Sequence, residues 1–243
     1  MSLLAVEKLD ARHGLLRAVR DVSFEVADGE TLALVGANGA GKSTLLRTIA
    51  GAHKLAGGRV LFDGAEITSS RAYVRVRMGI ALVPEGRRLF TGLTVEENLR
   101  LAGRSGRKGQ WTIDTVLDAF PLLKPHRKTR TGNLSGGEQQ ATAIGRALMT
   151  NPRLLLLDEA SLGLAPVAVE AVYESLRALI EGGATIVLVE QDLSRALSVA
   201  TRVCCMLEGQ IVLTGRAEEM TREQVVQAYF GLRREQRSEG ATA

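Results

Sequence analysis

Short, uninterrupted apolar runs recur along the chain, and each is followed by a turn or a loop. They are TLALVG at 31–36, LLLLD at 154–158 and TIVLVE at 185–190. Runs this short and this apolar are typical of strands that are buried on both faces of a parallel sheet. Because stretches of helical character follow them, the pattern predicts an α/β fold in which helices cover a mostly parallel sheet.

Shorter strand-like segments surround these runs. Residues 3–9 and 22–27 precede the first buried run, and we expect them to form a separate antiparallel β layer. Residues 57–64 and 79–83 are two further predicted strands. Two final strands are predicted within 202–215, followed by a polar helical tail.

The segment between these strand-rich parts has a helical pattern. Thr94–Glu97 and Ser135–Glu138 have the Ser/Thr-x-x-Glu form of capping boxes, which start helices. We therefore expect a helical subdomain at about 90–150, inserted into a single domain that spans 1–233. Residues 234–243 are expected to form a flexible tail.

The composition is that of an ordinary globular protein, with 45% hydrophobic and 24% charged residues. No apolar run approaches the roughly 18 residues of a membrane-spanning helix, and the N-terminus lacks the pattern of a signal peptide. Cys204 and Cys205 are adjacent in an apolar run, and the histidines are scattered, so neither a zinc site nor a disulfide framework is expected. These features favour a reducing, cytoplasmic setting.

The net charge of +4 comes largely from three basic segments, at 104–109, 124–130 and 232–237. Solvated surface is the simplest interpretation, and attraction to anionic lipid headgroups or to nucleic acid is the alternative. Aromatic residues make up only 4% of the chain and none is interleaved with the basic segments, which argues against base stacking. No nucleic-acid partner is expected.

A phosphate-binding pattern follows the first buried run. GANGAGKS, at Gly36–Ser43, matches G-x-x-x-x-G-K-[ST] between a buried strand and a helix start. The N–H groups of such a loop point at phosphate oxygens, and the helix N-terminus adds positive charge. We expect Lys42 to reach the β- and γ-phosphates and Ser43 to hold Mg²⁺. The residues expected to contact ATP are Gly36, Asn38, Gly39, Ala40, Gly41, Lys42, Ser43 and Thr44.

Two adjacent carboxylates, Asp158 and Glu159, follow the second buried run. They are predicted at the carboxyl end of a strand, which is where open α/β sheets bind ligands. Burying them costs free energy unless a cation meets them. We expect Asp158 to bind Mg²⁺, directly or through water, and Glu159 to accept a proton from the water that attacks the γ-phosphate. A purely structural role for Glu159 is the alternative.

The sequence LSGGEQQ, at Leu134–Gln140, starts the last helix of the predicted helical subdomain. By itself its Ser-x-x-Glu pattern could be only a helix cap. Together with the phosphate loop and the carboxylate pair, however, it resembles the signature of the ABC ATPases. VPEGRRLFTGLTVEENL at 83–99 and LVEQDL at 188–193 extend the resemblance from Leu4 to about Gly231. More narrowly, these segments resemble the smaller of the two ATPase subunits, the F subunit, of bacterial branched-chain amino-acid importers.

The resemblance implies a P-loop NTPase core with an N-terminal antiparallel β subdomain and an inserted α-helical subdomain. It also implies that two ATPase chains pair head to tail and hydrolyse ATP, with Mg²⁺ as cofactor. Ser135, Gly136, Gly137 and Glu138 of one chain would then contact the ATP of the other, where the N–H groups at a helix start form an anion nest.

The same resemblance implies the partners and the location of the chain. The partners would be membrane permease subunits, a second ABC ATPase in a homo- or heterodimer and, indirectly, a substrate-binding protein. The chain would then be a peripheral subunit on the cytoplasmic face of the inner membrane.

Four positions depart from the general ABC pattern, and one of them is Ala165, which replaces the aspartate of the D-loop. Glu85 stands where most members have a glutamine, and we expect it to bind Mg²⁺ and to act in catalysis. Gln191 stands where most members have the switch histidine, and its amide is expected to donate a hydrogen bond to the γ-phosphate without titrating. Ala160 replaces a common proline, for which the sequence offers no reason.

Two further assignments depend on the resemblance and leave alternatives open. His13 aligns with the aromatic residue that stacks on adenine, and a surface histidine without a role is the alternative. Leu89, Phe90 and Leu93 would lie near the groove that receives a short permease helix, and core packing is the competing interpretation.

Other functions fit parts of the sequence. An importer of another small amino acid or amide, such as urea, would use a close relative of this chain. A soluble ABC ATPase that acts on DNA, ribosomes or cofactor assembly is expected to carry long coiled-coil insertions, zinc-type cysteines or tandem cassettes, which are missing. A P-loop small-molecule kinase is disfavoured by the signature and by Glu159.

Overall fold

The computed structural model describes residues 2–229. The strands, in chain order, are β1 (Ser2–His13), β2 (Leu16–Ala27), β3 (Thr31–Val35), β4 (Leu55–Phe62), β5 (Ala65–Glu66), β6 (Ile80–Val83), β7 (Leu154–Asp158), β8 (Thr185–Glu190), β9 (Arg202–Leu207) and β10 (Gln210–Arg216). The helices are α1 (Lys42–Ile49), α2 (Ala72–Met78), α3 (Val95–Gly103), α4 (Ile113–Ala119), α5 (Gly136–Leu148), α6 (Pro166–Glu181), α7 (Leu193–Val199) and α8 (Arg222–Tyr229). Short 3₁₀ turns occur at Pro121–His126, Thr131–Asn133 and Ala217–Glu219. The expected tail at 234–243 lies outside the described residues.

The first sheet is antiparallel, with the strand order β2-β1-β4-β5. It is the separate β layer that the sequence predicts, but β1 and β2 are longer than predicted because they continue into one hairpin. His13 pairs with Leu16 at its tip, and Gly14 turns the chain there with φ 59°, which is a left-handed conformation.

The second sheet has the strand order β10-β9-β3-β8-β7-β6, and it is parallel except for the edge pair of β9 and β10. This confirms the mostly parallel sheet. β8 lies between β3 and β7, with Glu190 opposite Val35 and Val189 opposite Asp158. The carboxyl ends of these three strands therefore meet at one edge of the sheet.

The run of leucines in β7 is explained by burial on both faces. Leu154 and Leu156 pack into a core shared with the antiparallel sheet and α1, whereas Leu155 and Leu157 pack into a core shared with the helices α5 and α6. Each leucine is at most 2% exposed. Full burial of such a side chain contributes about 1.5–3 kcal/mol, so both faces of the strand stabilise the sheet.

The helices α3, α4 and α5 form the inserted helical subdomain. Both predicted capping boxes are present, at the starts of α3 and α5. Helix α4 lies close to α5, since a Cβ built on Gly145 would lie 2.6 Å from Val116 Cγ1. None of the helices in residues 2–229 is both long enough and apolar enough to span a membrane.

Helix α2 was not predicted, because its sequence AYVRVRM shows no clear helical period over seven residues. Its end is marked by Gly79, which has φ 113°.

Cys204 and Cys205 are buried in β9 as free thiols, and burial raises the pKa of Cys205 to about 12.

Arg75 of α2 is a buried cation that binds only backbone carbonyls. It is 2% exposed and donates hydrogen bonds to Thr48 O (3.0 Å) and Ile49 O (2.6 Å) at the end of α1. It also donates to Thr68 O (2.9 Å) and Ser70 O (3.0 Å). A single side chain thus caps α1 and ties it to the segment before α2.

We expect Arg75→Met to lower the free energy of unfolding by about 3 kcal/mol, because four backbone carbonyls, two of them in buried contacts, lose a charged donor. Urea denaturation followed by circular dichroism measures the change. Arg77→Met, an exposed arginine on the same helix, is the matched control and should stay within about 0.5 kcal/mol of the wild type. Equal effects of the two substitutions would contradict this role of Arg75.

Candidate functional site

The loop Gly36–Ser43 joins β3 to α1, and two of its glycines are required by close backbone contacts. A Cβ on Gly41, which has φ 100°, would lie 2.2 Å from Ala18 O. A Cβ on Gly36, which has φ 157°, would lie 2.3 Å from Met206 O. The loop is thus fitted against both sheets, and its exposed tip carries Asn38 and Gly39. Its shape is set before any phosphate binds.

Lys42 is held inside this loop and is only 3% exposed. Its Nζ donates hydrogen bonds to Gly36 O (2.6 Å) and Ala37 O (3.0 Å). Burial lowers the pKa of Lys42, whereas the negative charges of Glu159, Asp158 and Glu190 raise it. An ammonium group has three donors, so one N–H remains for a phosphate oxygen.

Ser43 and Asp158 are brought together across the sheet edge. Ser43 Oγ donates a 2.7 Å hydrogen bond to Asp158 Oδ1, and Asp158 Oδ2 is buried without a hydrogen-bond partner. Burial raises the pKa of Asp158, while the hydrogen bond from Ser43 and the charge of Arg47 lower it. A buried carboxylate oxygen without a donor, beside a hydroxyl and a phosphate loop, fits a hard cation such as Mg²⁺.

Arg47 is a residue of this site that sequence reasoning missed. Its Nη2 lies 3.5 Å from Asp158 Oδ2 and 3.8 Å from Glu85 Oε2. Arg47 follows Ser43 by one helical turn, which is the signal that could have found it. The Glu85 carboxylate, which is 47% exposed, therefore faces a cation at the same edge of the sheet as Asp158.

The described residues contain no group of three or more His, Cys, Asp or Glu side chains that could hold a metal alone. Mg²⁺ is commonly held by one or two carboxylates together with substrate phosphates, and the Ser43 hydroxyl beside the Asp158 carboxylate fits such a set. Binding of Mg²⁺ by these residues and by Glu85 stays a prediction.

Glu159 and Gln191 form a second pair at this edge. Gln191 Nε2 donates a 2.8 Å hydrogen bond to Glu159 Oε1, which leaves one amide N–H free. Glu159 has φ 53°, a left-handed conformation that costs a non-glycine residue about 1–3 kcal/mol. A proline at 160 would push residue 159 towards extended backbone, so alanine at this position suits the observed conformation.

The signature residues cap their own helix. Glu138 N donates to Ser135 Oγ (3.4 Å) and Ser135 N donates to Glu138 Oε2 (2.7 Å). A Cβ on Gly137 would lie 2.7 Å from Ala168 Cβ, so this glycine lets α5 and α6 approach each other. Within residues 2–229, neither a hydrogen bond nor an ion pair joins Ser135, Gly136, Gly137 or Glu138 to the phosphate loop. Their contact with ATP in another chain stays a prediction.

His13 lies beside the start of α1. Its Nε2 is 3.1 Å from Thr44 Oγ1, and its ring centroid is 4.5 Å from that of His53, with the rings tilted by 44°. His53 lies forty residues away in the sequence and carries no local signal, so it was missed. The structure thus places an exposed imidazole next to Thr44 at the start of α1, and its stacking on adenine stays a prediction.

Comparison with known proteins agrees with the resemblance that the sequence motifs indicate. A family model described as ABC transporter matches residues 19–162. The chain is 46% identical to the high-affinity branched-chain amino acid transport ATP-binding protein BraG of Pseudomonas aeruginosa, over 94% of this chain and 100% of that protein. It is 37% identical to the probable branched-chain amino acid transport ATP-binding protein LivF of Archaeoglobus fulgidus, over 90% of this chain and 94% of that one.

The fold is similar to that of a solved nucleotide-free ATP-binding cassette from an ABC transporter. The TM-score is 0.82 and the sequence identity is 27%, with 95% of this chain and 96% of the other covered.

We expect Asp158→Asn to stabilise the nucleotide-free protein by about 1 kcal/mol, which raises Tm by about 2–4 °C at neutral pH. The reason is that the substitution removes a buried charge whose Oδ2 accepts no hydrogen bond. Differential scanning calorimetry without nucleotide measures the shift.

The matched control is Asp118→Asn, which removes an exposed carboxylate paired with Lys124 and should leave Tm nearly unchanged. A lower Tm for Asp158→Asn than for the wild type would show that the buried charge is compensated in the nucleotide-free protein.

Proposed function

Because the chain belongs to the ABC transporter family of ATP-binding proteins, we propose that it is the ATPase subunit of an importer for branched-chain amino acids. The observation that carries this proposal is the 46% identity to BraG, which extends over that protein's whole length. The arrangement of the phosphate loop, Asp158 and Glu159 supports the ATPase chemistry.

The phosphate loop binds ATP through its backbone N–H groups and through Lys42. Ser43, Asp158 and Glu85 would hold Mg²⁺, which when bound neutralises charge on the phosphate oxygens. Arg47 then keeps Glu85 and Asp158 close together, since its guanidinium faces both carboxylates. His13 covers the purine ring.

Hydrolysis depends on the pair of Glu159 and Gln191. Glu159 accepts a proton from the attacking water while the water oxygen bonds to the γ-phosphorus. The bond between that phosphorus and the β–γ bridging oxygen breaks, and ADP leaves with the electron pair. Gln191 donates one N–H to the Glu159 carboxylate, and it donates its second N–H to an oxygen of the γ-phosphate.

A second ATPase chain completes the site. The loop after Glu159 exposes the apolar side chain of Leu162 (49%), and the first turn of α6 exposes Val167 (84%); a partner chain would cover both. In a head-to-tail pair, the start of α5 with Ser135 and Gly136 presents N–H groups to the ATP of the partner. The γ-phosphate is then held from both chains, so its hydrolysis weakens the pair.

Permease subunits dock beside α3 and α5. A cavity of about 430 Å³ opens there, with Phe90, Leu82, Leu101 and Arg146 in its wall. Phe90 is 51% exposed, whereas Leu89 packs into the core of the helical subdomain. The segment from Glu85 to Phe90 thus connects the candidate site to this cavity.

In this proposal the chain is a peripheral subunit on the cytoplasmic face of the inner membrane, and a substrate-binding protein acts on the other side.

We expect Glu159→Gln to bind ATP but to hydrolyse it at least about a hundredfold more slowly, because the general base is lost. The variant should therefore accumulate as an ATP-bound complex. Tagged in its native cell and extracted gently from membranes with ATP, it should co-purify with hydrophobic permeases and a second ABC ATPase.

Glu181→Gln, at the exposed end of α6, is the matched control and should hydrolyse ATP like the wild type. Permeases whose neighbouring binding protein takes leucine, isoleucine or valine would support the substrate class. Recovery of only soluble partners, ribosomes or DNA would reject transport and leave the ATPase chemistry standing.

We expect the ATPase rate of the wild type to show no step near pH 6.5, because glutamine at 191 does not titrate there. Gln191→His should introduce such a step, since an unperturbed histidine titrates near 6.5. Steady-state rates between pH 5.5 and 8.5 test both statements. A wild-type step near pH 6.5 that Gln191→Ala abolishes would refute the proposed role.

A further inference from the structure

A fourth carboxylate at the sheet edge, besides Glu85, Asp158 and Glu159, takes no part in the proposed chemistry. Glu190 ends β8 and is 2% exposed, opposite Val35 of β3. Among the described residues, no cationic side chain lies within ion-pair distance of its carboxylate, and Arg195 nearby pairs with Asp192 instead. A buried carboxylate without a cation is costly unless hydrogen bonds satisfy it.

Three hydrogen bonds satisfy the Glu190 carboxylate. Ser161 N and Ser161 Oγ donate to its two oxygens at 3.2 and 2.9 Å, and Tyr173 Oη donates at 2.6 Å. Burial and the Glu190 charge raise the pKa of Tyr173, so the phenol keeps its proton and donates it. Hydrogen bonds to a carboxylate are stronger than neutral ones, so this carboxylate fastens β8 to α6 and to the loop after Glu159.

The fastened loop and strand both lead directly to the hydrolytic pair. Ser161 follows Glu159 by two residues, and Gln191 follows Glu190 by one. The hydrogen bond between Gln191 and Glu159 closes a ring of contacts, and Glu159 N donates to Val189 O at 3.1 Å. A cavity of about 240 Å³ lies against this ring and is lined by Glu159, Ser161, Glu190 and Gln191.

The left-handed backbone of Glu159 is a second reason to expect such an anchor. A non-glycine residue with φ 53° keeps that conformation only when its surroundings over-determine it. The bonds from Ser161 to Glu190 supply one restraint, on the C-terminal side of Glu159. The backbone bond to Val189 and the side-chain bond from Gln191 supply the others.

We propose that Glu190, fastened by Tyr173 and Ser161, is a positioning residue that holds Glu159 and Gln191 in the geometry needed for ATP hydrolysis. This inference rests on the proposed function, in which Glu159 is the general base. It assigns Glu190 no contact with ATP, and the Glu190 charge, which acts on Lys42, is kept when Tyr173 or Ser161 is replaced. Disturbing the anchor therefore slows hydrolysis and leaves ATP binding intact.

Tyr173→Phe is the sharpest test, because it removes one donor and keeps the shape of the side chain. We expect kcat for ATP hydrolysis to fall about tenfold, the loss that follows when one hydrogen bond to a charged group is removed. KM and the Kd for ATP, measured with a fluorescent ATP analogue, should change less than twofold. Tyr73→Phe, an exposed tyrosine on α2, is the matched control.

A double-mutant cycle distinguishes positioning from general loosening of the fold. In the Glu159→Gln background, Tyr173→Phe should slow the residual single-turnover rate much less than in the wild type, because most of its effect acts through the base that is already lost. Ser161→Ala should behave like Tyr173→Phe, and it decides the question if Tyr173→Phe fails to fold. Glu190→Gln, which keeps one acceptor oxygen and the shape of the side chain, should retain more of kcat than Glu190→Ala.

An unchanged kcat in Tyr173→Phe and Ser161→Ala would overturn the proposal, as would an equal loss in the wild-type and Glu159→Gln backgrounds. Loss of ATP binding in step with kcat would also overturn it. A wild-type protein, assembled with the subunits it co-purifies with, that hydrolyses no ATP would instead reject the proposed function, so the two failures are distinguishable.

Discussion

The position of β8 between β3 and β7 is the constraint on which the rest of the molecule depends. It sets the ends of three parallel strands side by side, so that groups far apart in sequence share one edge of the sheet. The hydrogen bond from Ser43 to Asp158 and the backbone bond from Glu159 to Val189 both follow from that order. The residues proposed to bind phosphate and to activate water are therefore held at the ends of neighbouring strands of one sheet, and the loops between strands and helices complete the site.

Charge is the second organising feature. Asp158 and Glu190 are buried at this edge. The low dielectric there strengthens the attraction of each carboxylate to cations, and it raises the free-energy cost of a carboxylate that has no partner. The two carboxylates are stabilised differently: Glu190 by hydrogen bonds, and Asp158 by one hydrogen bond and the neighbouring Arg47. Asp158 thus keeps one oxygen without a hydrogen bond, which the proposed function assigns to Mg²⁺, whereas both oxygens of Glu190 accept hydrogen bonds from the protein.

The departures from the general ABC pattern make sense as local pairs. Glu85 adds a negative charge where a neutral amide is usual, and Arg47 faces it. Gln191 lacks the charge of a protonated histidine, and its amide instead holds the carboxylate of Glu159. Ala160 allows the left-handed backbone of Glu159. For Glu85 and Gln191 the contact is made by a side chain distant in sequence, whereas Ala160 acts through the backbone of its own neighbour.

The sequence by itself determined the phosphate loop, the strand that carries the carboxylate pair and the capping boxes of the helical subdomain. Their chemistry is local, because consecutive residues on one turn of backbone create the feature. It also predicted that Ser43 and Asp158 serve one metal, but only through the known logic of such sites. The tertiary structure decided the contacts between distant positions, since strand order and helix packing set which side chains meet. These contacts are Arg47 with Glu85, His13 with His53, Gln191 with Glu159, and Glu190 with Ser161 and Tyr173.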